Sequence, residues 1–365
     1  MGSNSVVLLE NVNEDVDLLK SHAEVYNNLF AFADTLALRS AVELRIADII
    51  HSHGQPMSLS QIASKLEAPS LDISYLARIM RLLVRKNIFT VDYNQGEGEG
   101  QEALYGLTNS SRWLIHDHDQ SLAPMFLIFS HHLVVTAYYE IGRSIKEGGI
   151  PFVKAHGESF WNMASKDNEI NNMFNTGMAS ATKPTLNAVI KGYKDGFSKL
   201  QGTVVDVGGG TGNLISMIVQ QHPHIKGINF DLPHVVANAP PHPAVTHVAG
   251  DMFKDIPSAH NVIIKSVLHD WTDEDCLRIL KKSQEAVFEK NGKIIIIDVV
   301  LHPDRHEMFD DASIGLDLLL MTNSDGGKER TEVEWKKLLN QAGFTRFNFI
   351  PLQAIMSFTI IEAFL

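Results

Sequence analysis

One cysteine, Cys276, stands in a chain of 365 residues. That excludes an intrachain disulfide and a cysteine-based zinc site, as a reducing compartment would permit. Cys276 itself reads as a buried helical residue rather than a nucleophile. No uninterrupted apolar run approaches the roughly 18 residues that a membrane-spanning helix needs, although 44% of the chain is apolar. Basic residues do not predominate: 31 Lys and Arg against 43 Asp and Glu leave a formal net charge of −12, which speaks against a surface built to neutralise phosphates. Internal repeats are absent, and no motif asks for a metal. Residues 1–6 are too polar for a signal peptide and put Val6 where a myristoylation motif has Ser or Thr. The start therefore reads as that of a cytosolic, cytoplasmic protein, and the length suits two domains.

What the chain has is a glycine cluster after an apolar run, in Val204-Val205-Asp206-Val207-Gly208-Gly209-Gly210-Thr211-Gly212. A strand that ends in glycines can bring its backbone close to a ligand where any Cβ would clash. The dinucleotide fingerprint needs a third glycine three residues after the second, and from Gly208 and Gly210 that position is Asn213. The spacing argues against NAD. S-adenosylmethionine carries no pyrophosphate, and its amino-acid end needs carboxylate or carbonyl partners, which Asp206 lies near to supply.

Acids recur at the ends of the following strands. Asp231 closes Gly227-Ile228-Asn229-Phe230-Asp231, 19 residues after Gly212. There a carboxylate can accept two ribose hydroxyls, or cap a helix that begins at Leu-Pro. After a third strand, 245–249, Asp251 and Met252 stand where an acid meets an adenine amino group and apolar side chains flank the ring; a plain turn acid beside core residues is the other reading. Lys265, late in the buried strand 261–266, is costly unless its ammonium emerges into a polar site.

That fourth strand runs into Leu268-His269-Asp270-Trp271, at the carboxyl end where open α/β sheets place their chemistry. Among 17 histidines, this position singles out His269 as the base. With an ordinary pKa of about 6.5 it can take a phenol proton, help worth roughly 10²–10⁴-fold. Two carboxylates compete to orient it: Asp298, closing the strand 293–297, and Glu329 in Gly326-Gly327-Lys328-Glu329-Arg330-Thr331. Each has a plain alternative, as a strand end and as a solvated charge.

Residues 15 to about 190 read as mostly helical, with helical apolar spacing over 18–37, 40–51 and 75–86. Ser58 and Gln61 form a capping box. Two short strands, 88–91 and 103–107, flank a polar Gly/Glu stretch at 94–102, and together with the helices they make a winged-helix-like unit. Arg78, Arg81, Arg85 and Lys86 on its helix 75–86 would suit DNA, but the acidic chain does not. After residue 200 strands alternate with helices, giving an α/β, Rossmann-like doubly wound sheet with mainly parallel strands. Two late strands, 346–351 and 357–363, pair as an edge hairpin. Thr272 caps the helix 272–289, with Asp273, Glu274 and Asp275 favouring its N-terminal dipole.

As a set, VVDVGGGTG at 204–212, FDLPHVV at 230–236, AGDMF at 249–253, LHDW at 268–271, NGKIIIID at 291–298 and GGKERT at 326–331 resemble the plant class II O-methyltransferases. The N-terminal segments NLFAFADTLALRSAVELRIADII and YLARIMRLLV extend the resemblance over nearly the whole chain. It implies a dimeric enzyme that methylates a phenolic specialised metabolite with S-adenosylmethionine and needs no metal. His269 would be the proton acceptor between Asp298 and Glu329, and Gly208, Asp231, Asp251, Met252 and Lys265 would hold the cofactor. The family has Glu or Asp at the position of Asp298. Trp161, Phe174 and Met178, which otherwise read as core, would line the substrate slot. Asp270 would orient a polar group of the substrate. Asn323 lies in 321–325, a pocket-lining segment that departs from commoner family versions.

The resemblance implies an N-terminal winged-helix-like dimerisation domain at 1–120, with its interface in 27–50, connecting helices at 121–195 and a Rossmann-like catalytic domain at 196–365. It leans toward the branch acting on benzylisoquinoline alkaloids and isoflavonoid-like rings, and an alkaloid ammonium would find an acid in Asp325 or Glu158. Flavonoid or phenylpropanoid substrates, N-methylation and a non-catalytic binding role are the alternatives. No nucleic acid or membrane partner is expected.

Overall fold

The computed structural model describes residues 3–66, 68, 70–93, 102–237, 239–288, 292–352 and 356–365, with 3–15 and 181 by backbone alone. The polar stretch 94–101, Glu289 and Asn291 lie outside the described residues. The chain divides into two compact units: one holds residues up to His132 with Asn172–Ala181, the other Leu133–Asn171 with Thr182–Leu365. The connecting segment expected at 121–195 is thus shared between them, and the helix Asn168–Gly192 contributes residues to both.

In the first unit a small antiparallel sheet of β1 (Met57–Ser58), β2 (Phe89–Tyr93) and β3 (Ala103–Leu107) has the order β1-β3-β2. The helix Ile73–Arg85 lays Leu76, Met80 and Leu83 into its core, the spacing of one helical face. Ser58 and Gln61 close a reciprocal capping box, with Ser58 N to Gln61 Oε1 at 2.8 Å. The helices expected at 18–37 and 40–51 are instead Ser3–Leu29, Ala31–Glu43 and Ile46–His53. The second break falls at Arg45, whose φ of 52° is left-handed; its guanidinium is tied to Asp48 at 3.1 Å and Asp117 at 3.0 Å. Leu18, Leu19, Val25, Tyr26, Leu29, Phe30 and Phe32 are exposed.

The second unit is built on a sheet of β4 (Thr203–Val207), β5 (Lys226–Asp231), β6 (Val245–Ala249), β7 (Asn261–Lys265), β8 (Lys293–Leu301), β9 (Arg330–Thr331), β10 (Arg346–Pro351) and β11 (Phe358–Phe364). Its order is β10-β11-β8-β7-β4-β5-β6, with β9 beside β8. The strands from β4 to β9 pair in parallel, and β10 and β11 form an antiparallel hairpin with β10 at the edge. Ile294 and Ile296 pack with Leu280 and Trp335 on one face, Ile295 and Ile297 with Val189 and Ile215 on the other. Burial on both faces is why β8 reads as a continuous apolar run rather than an alternating one. Strand order reverses between β4 and β7, the place where open α/β sheets leave a crevice at their carboxyl ends. Among the described residues no helix is long and apolar enough to cross a membrane.

Candidate active site

β4 delivers the chain into a turn in which Gly208, Gly210 and Gly212 have φ of 68°, 61° and 83°, values that glycine adopts at low cost. A Cβ on Gly208 would lie 2.6 Å from Val267 Cγ2, so the turn packs directly on the segment leading to His269. A Cβ on Gly210 would meet nothing within 4 Å; that side of the turn is open. Asp231, at the end of β5, accepts from Gly210 N at 2.8 Å and Leu232 N at 2.7 Å. The short helix that follows starts beyond Leu232, so Asp231 braces the glycine turn instead of capping the helix. Asn229, fully buried, donates to Gly210 O at 2.9 Å and contacts His247 Nδ1 at 3.2 Å, a second brace that strand pattern alone did not reveal.

Asp206 is buried beneath the turn, and its Oδ2 has no partner among the described residues. Burial pushes its pKa up to about 7, Lys265 opposing and Asp231 adding to the rise. Lys265 extends Nζ to Ser266 Oγ at 3.2 Å; burial lowers its pKa against the pull of Asp206 and Asp298. A buried acceptor without a donor, beside an open glycine turn, fits a ligand that brings an ammonium or hydroxyl groups. Asp251 accepts from Phe253 N at 3.0 Å, and this bond first, then Lys254, holds its pKa low. Met252 and Phe253 pack against the sheet core. Phe253 also meets Trp271 edge to face at 4.8 Å, joining this turn to the one that carries His269.

That turn is a 3-10 helix, Leu268–Asp270, directly beyond β7. His269 Nδ1 lies 2.8 Å from Glu329 Oε1 and 3.5 Å from Asp298 Oδ1, while Nε2 is 3.7 Å from Asp270 Oδ1. Only the first is a hydrogen bond. Both acids are buried, and one oxygen of each, Asp298 Oδ2 and Glu329 Oε2, has no partner among the described residues. Burial opposes a charge on His269, but the Asp298 charge, the Glu329 hydrogen bond and charge, and Asp270 outweigh it and push its pKa up to about 10. Burial raises Asp298, and it pushes Glu329 up to about 7 against the pull of His269. Asp317 Oδ1 accepts from Glu329 N at 2.9 Å.

Asn323 donates to Leu319 O and to Thr322 Oγ1, both at 2.8 Å, and its buried Oδ1 has no partner among the described residues. Trp161 is exposed and meets Phe160 edge to face. Phe174 and Met178 are half-buried on the helix Asn168–Gly192 and belong to the first unit, whereas Trp161 belongs to the second. Glu158 is engaged by Lys166 at 2.5 Å, so its charge is already partnered.

Residues 138–345 match the O-methyltransferase domain family, and 26–117 match the O-methyltransferase dimerisation domain. The chain is 48% identical to (R,S)-reticuline 7-O-methyltransferase of Papaver somniferum, over 95% of this chain and 98% of that one. This chain belongs to the plant class II S-adenosylmethionine-dependent O-methyltransferases. The methyltransferase is also 47% identical to desmethylxanthohumol 6'-O-methyltransferase of Humulus lupulus, over 96% and 100% of the two chains. Its fold is shared with a methyltransferase of calicheamicin biosynthesis solved with SAH bound, at a TM-score of 0.79 and 24% identity over 95% and 98% of the chains. In this methyltransferase His269, Asp298 and Glu329 offer nitrogen and oxygen atoms all within 4.8 Å of one another. Such a donor set also suits a divalent cation.

Proposed function

We propose that this methyltransferase acts on a phenolic hydroxyl of a plant specialised metabolite, a benzylisoquinoline-type alkaloid first, with His269 as general base. The observation that carries the reading is the 2.8 Å contact between His269 Nδ1 and Glu329 Oε1. It commits one ring nitrogen and leaves Nε2 to take the proton. S-adenosylmethionine, when bound, supplies the electrophilic methyl group; Gly208, Asp231, Asp251, Met252 and Lys265 would hold it, with Asp206 beneath. Nε2 removes the hydroxyl proton, and the acids stabilise the imidazolium that results. By raising the pKa of His269 toward the value of about 10 typical of phenols, they match base to substrate. The requirement is that the neutral imidazole be present first.

Asp270 and Asn323 would orient the substrate, with Trp161, Phe174 and Met178 along its ring. The alkaloid preference draws on the relative named for reticuline, and Asp325, which is exposed, is the acid left to meet an ammonium. A flavonoid, isoflavonoid or phenylpropanoid phenol is the second reading, favoured by the relative named for desmethylxanthohumol. The working unit is a homodimer, supported by the dimerisation-domain match and by the exposed Leu29, Phe30, Phe32, Leu36 and Leu44 within 27–50. Residues 1–120 would carry that role, 121–195 connect and 196–365 hold the catalytic domain. A lone buried cysteine suits a reducing, cytoplasmic setting, and the net charge of −12 does not favour nucleic acid.

The test is transfer of a labelled methyl group to catechol alkaloids, flavonoids and hydroxycinnamates by wild type and His269→Ala. Turnover on alkaloids, lost by about 10²-fold or more in the variant, is the expected result. Turnover confined to flavonoids would reject the alkaloid preference, and an active His269→Ala would reject the base.

A further inference from the structure

Glu329 is followed directly by Arg330, one of the largest fully buried side chains of the protein, at 1% exposure. A guanidinium is rarely placed there without a full set of acceptors. Its partners are concentrated on one short stretch. Nη1 donates to Leu268 O at 3.0 Å, Nη2 to Trp271 O at 3.0 Å, and Nε and Nη2 to Asp273 Oδ1 at 3.0 and 2.8 Å. Nη2 also lies 3.4 Å from Cys276 Sγ, and the guanidinium stands over the Trp335 ring at 5.4 Å. Leu268 and Trp271 bracket His269 and Asp270, so one planar group spans the turn from both ends.

The neighbouring backbone completes the clamp. Lys328 N donates to His269 O at 2.8 Å, and β9 fixes Arg330 opposite Val300 of β8, the strand that carries Asp298. The three consecutive residues 328–330 therefore hold the backbone of His269, its ring and its flanking carbonyls. Only an arginine presents donors along several directions in one rigid plane; a lysine ammonium is a single point on a flexible stem.

We propose that Arg330 is a positioning residue of the methyl-transfer reaction, holding the 268–271 turn at the height and rotation where His269 meets Glu329. The proposal rests on His269 being the base. Among the described residues Arg330 makes no hydrogen bond or ion pair to the glycine turn or to Asp231, so its replacement should separate catalysis from cofactor binding.

The experiment compares wild type, Arg330→Lys, Asp273→Asn and His269→Ala. It measures kcat and KM for a phenol that the wild type methylates, SAH affinity by calorimetry, and kcat against pH. Arg330→Lys is expected to lower kcat by about 10- to 100-fold with SAH affinity within about threefold of wild type. Its acid limb should move to lower pH, because a lengthened Nδ1–Oε1 contact raises the pKa of His269 less. A kcat within about threefold of wild type would overturn the proposal, and so would a fall in kcat with an unmoved limb, which assigns Arg330 to folding alone. If Arg330→Lys fails to bind SAH, Asp273→Asn decides: it removes the charged anchor of the fork and should lower kcat with SAH binding kept, and an unchanged kcat overturns the proposal. An active His269→Ala would instead remove the base on which the proposal rests, an outcome distinct from a silent Arg330→Lys.

Discussion

Glu329 Oε1 accepts from His269 Nδ1 at 2.8 Å across 60 residues of chain, and the Glu329 side chain is fully buried. A carboxylate in that place fixes the ring's tautomer and orientation. Asp298, at 3.5 Å from the same nitrogen, acts through its charge alone.

Replacing the two acids should therefore have unequal effects. Glu329→Gln puts an amide where an acceptor is needed, and its NH2 can donate to Nδ1 and leave the proton on Nε2. A loss of kcat of about 100-fold or more is expected. Asp298→Asn removes a charge without removing that bond and should cost less. Steady-state kinetics of the two variants would show it, and a larger loss for Asp298→Asn would make Asp298 the main partner.

The raised pKa of His269 has a signed consequence for pH dependence. As the proposed base, His269 must be neutral to take a proton, and below a pKa of about 10 the ring is mostly protonated. The kcat/KM of wild type should thus climb from pH 6 upward and level only near the top of the range, since kcat/KM reports the free enzyme. Weakening either acid should bring the limb down toward the ordinary value of about 6.5. Residual activity of His269→Ala supplies the control for ionisation of the phenol itself. A plateau reached by pH 7 would show that the acids do not hold His269 protonated.

Gly210 and Gly208 should respond differently to alanine. At Gly210 the cost is left-handed backbone, about 1–2 kcal/mol, with no atom within 4 Å to collide with. Its methyl would occupy the open side of the turn, so Gly210→Ala should weaken SAH binding with kcat at saturation little changed. Gly208→Ala drives a methyl into Val267, two residues before His269, and should lower both. Calorimetry with SAH and saturating kinetics separate the two patterns; identical behaviour would show that the open side is not where the cofactor lies.

Chelation should leave the activity intact. The 2.8 Å separation of His269 Nδ1 and Glu329 Oε1 suits a shared proton, and a cation ligated by both would take the lone pair that the proton uses. Activity after dialysis against EDTA checks this. A loss restored by a divalent metal would reassign His269, Asp298 and Glu329 as ligands.

Much of the sheet was legible in the sequence because a parallel strand buried on both faces writes itself as an apolar run, as in Ile294–Ile297, and because Asp231 and the glycines after Val207 mark where two such runs end; β8 instead runs on through Asp298, expected to close it, as far as Leu301. The capping box of Ser58 and Gln61 was legible for the same local reason. The helix breaks at Phe30 and Arg45 were not. Apolar spacing continues through both, and the left-handed Arg45 is held by Asp117, 72 residues on.

By itself the sequence determined the order of strands and turns along the chain, the glycine cluster with Asp231 at the next strand end, and His269 in the turn beyond β7. Each depends on residues adjacent in the chain, where backbone preference and burial act together. Only the tertiary structure decided that Glu329 rather than Asp298 bonds His269, that Asp231 braces the glycine turn together with Asn229 instead of capping a helix, and that Arg330 spans the 268–271 turn from both ends. The first turns on 2.8 Å against 3.5 Å at one ring nitrogen, and all three join groups 19 to 62 residues apart in the chain. Composition and periodicity carry no distance, so such choices are made only when the packed strands bring those groups together.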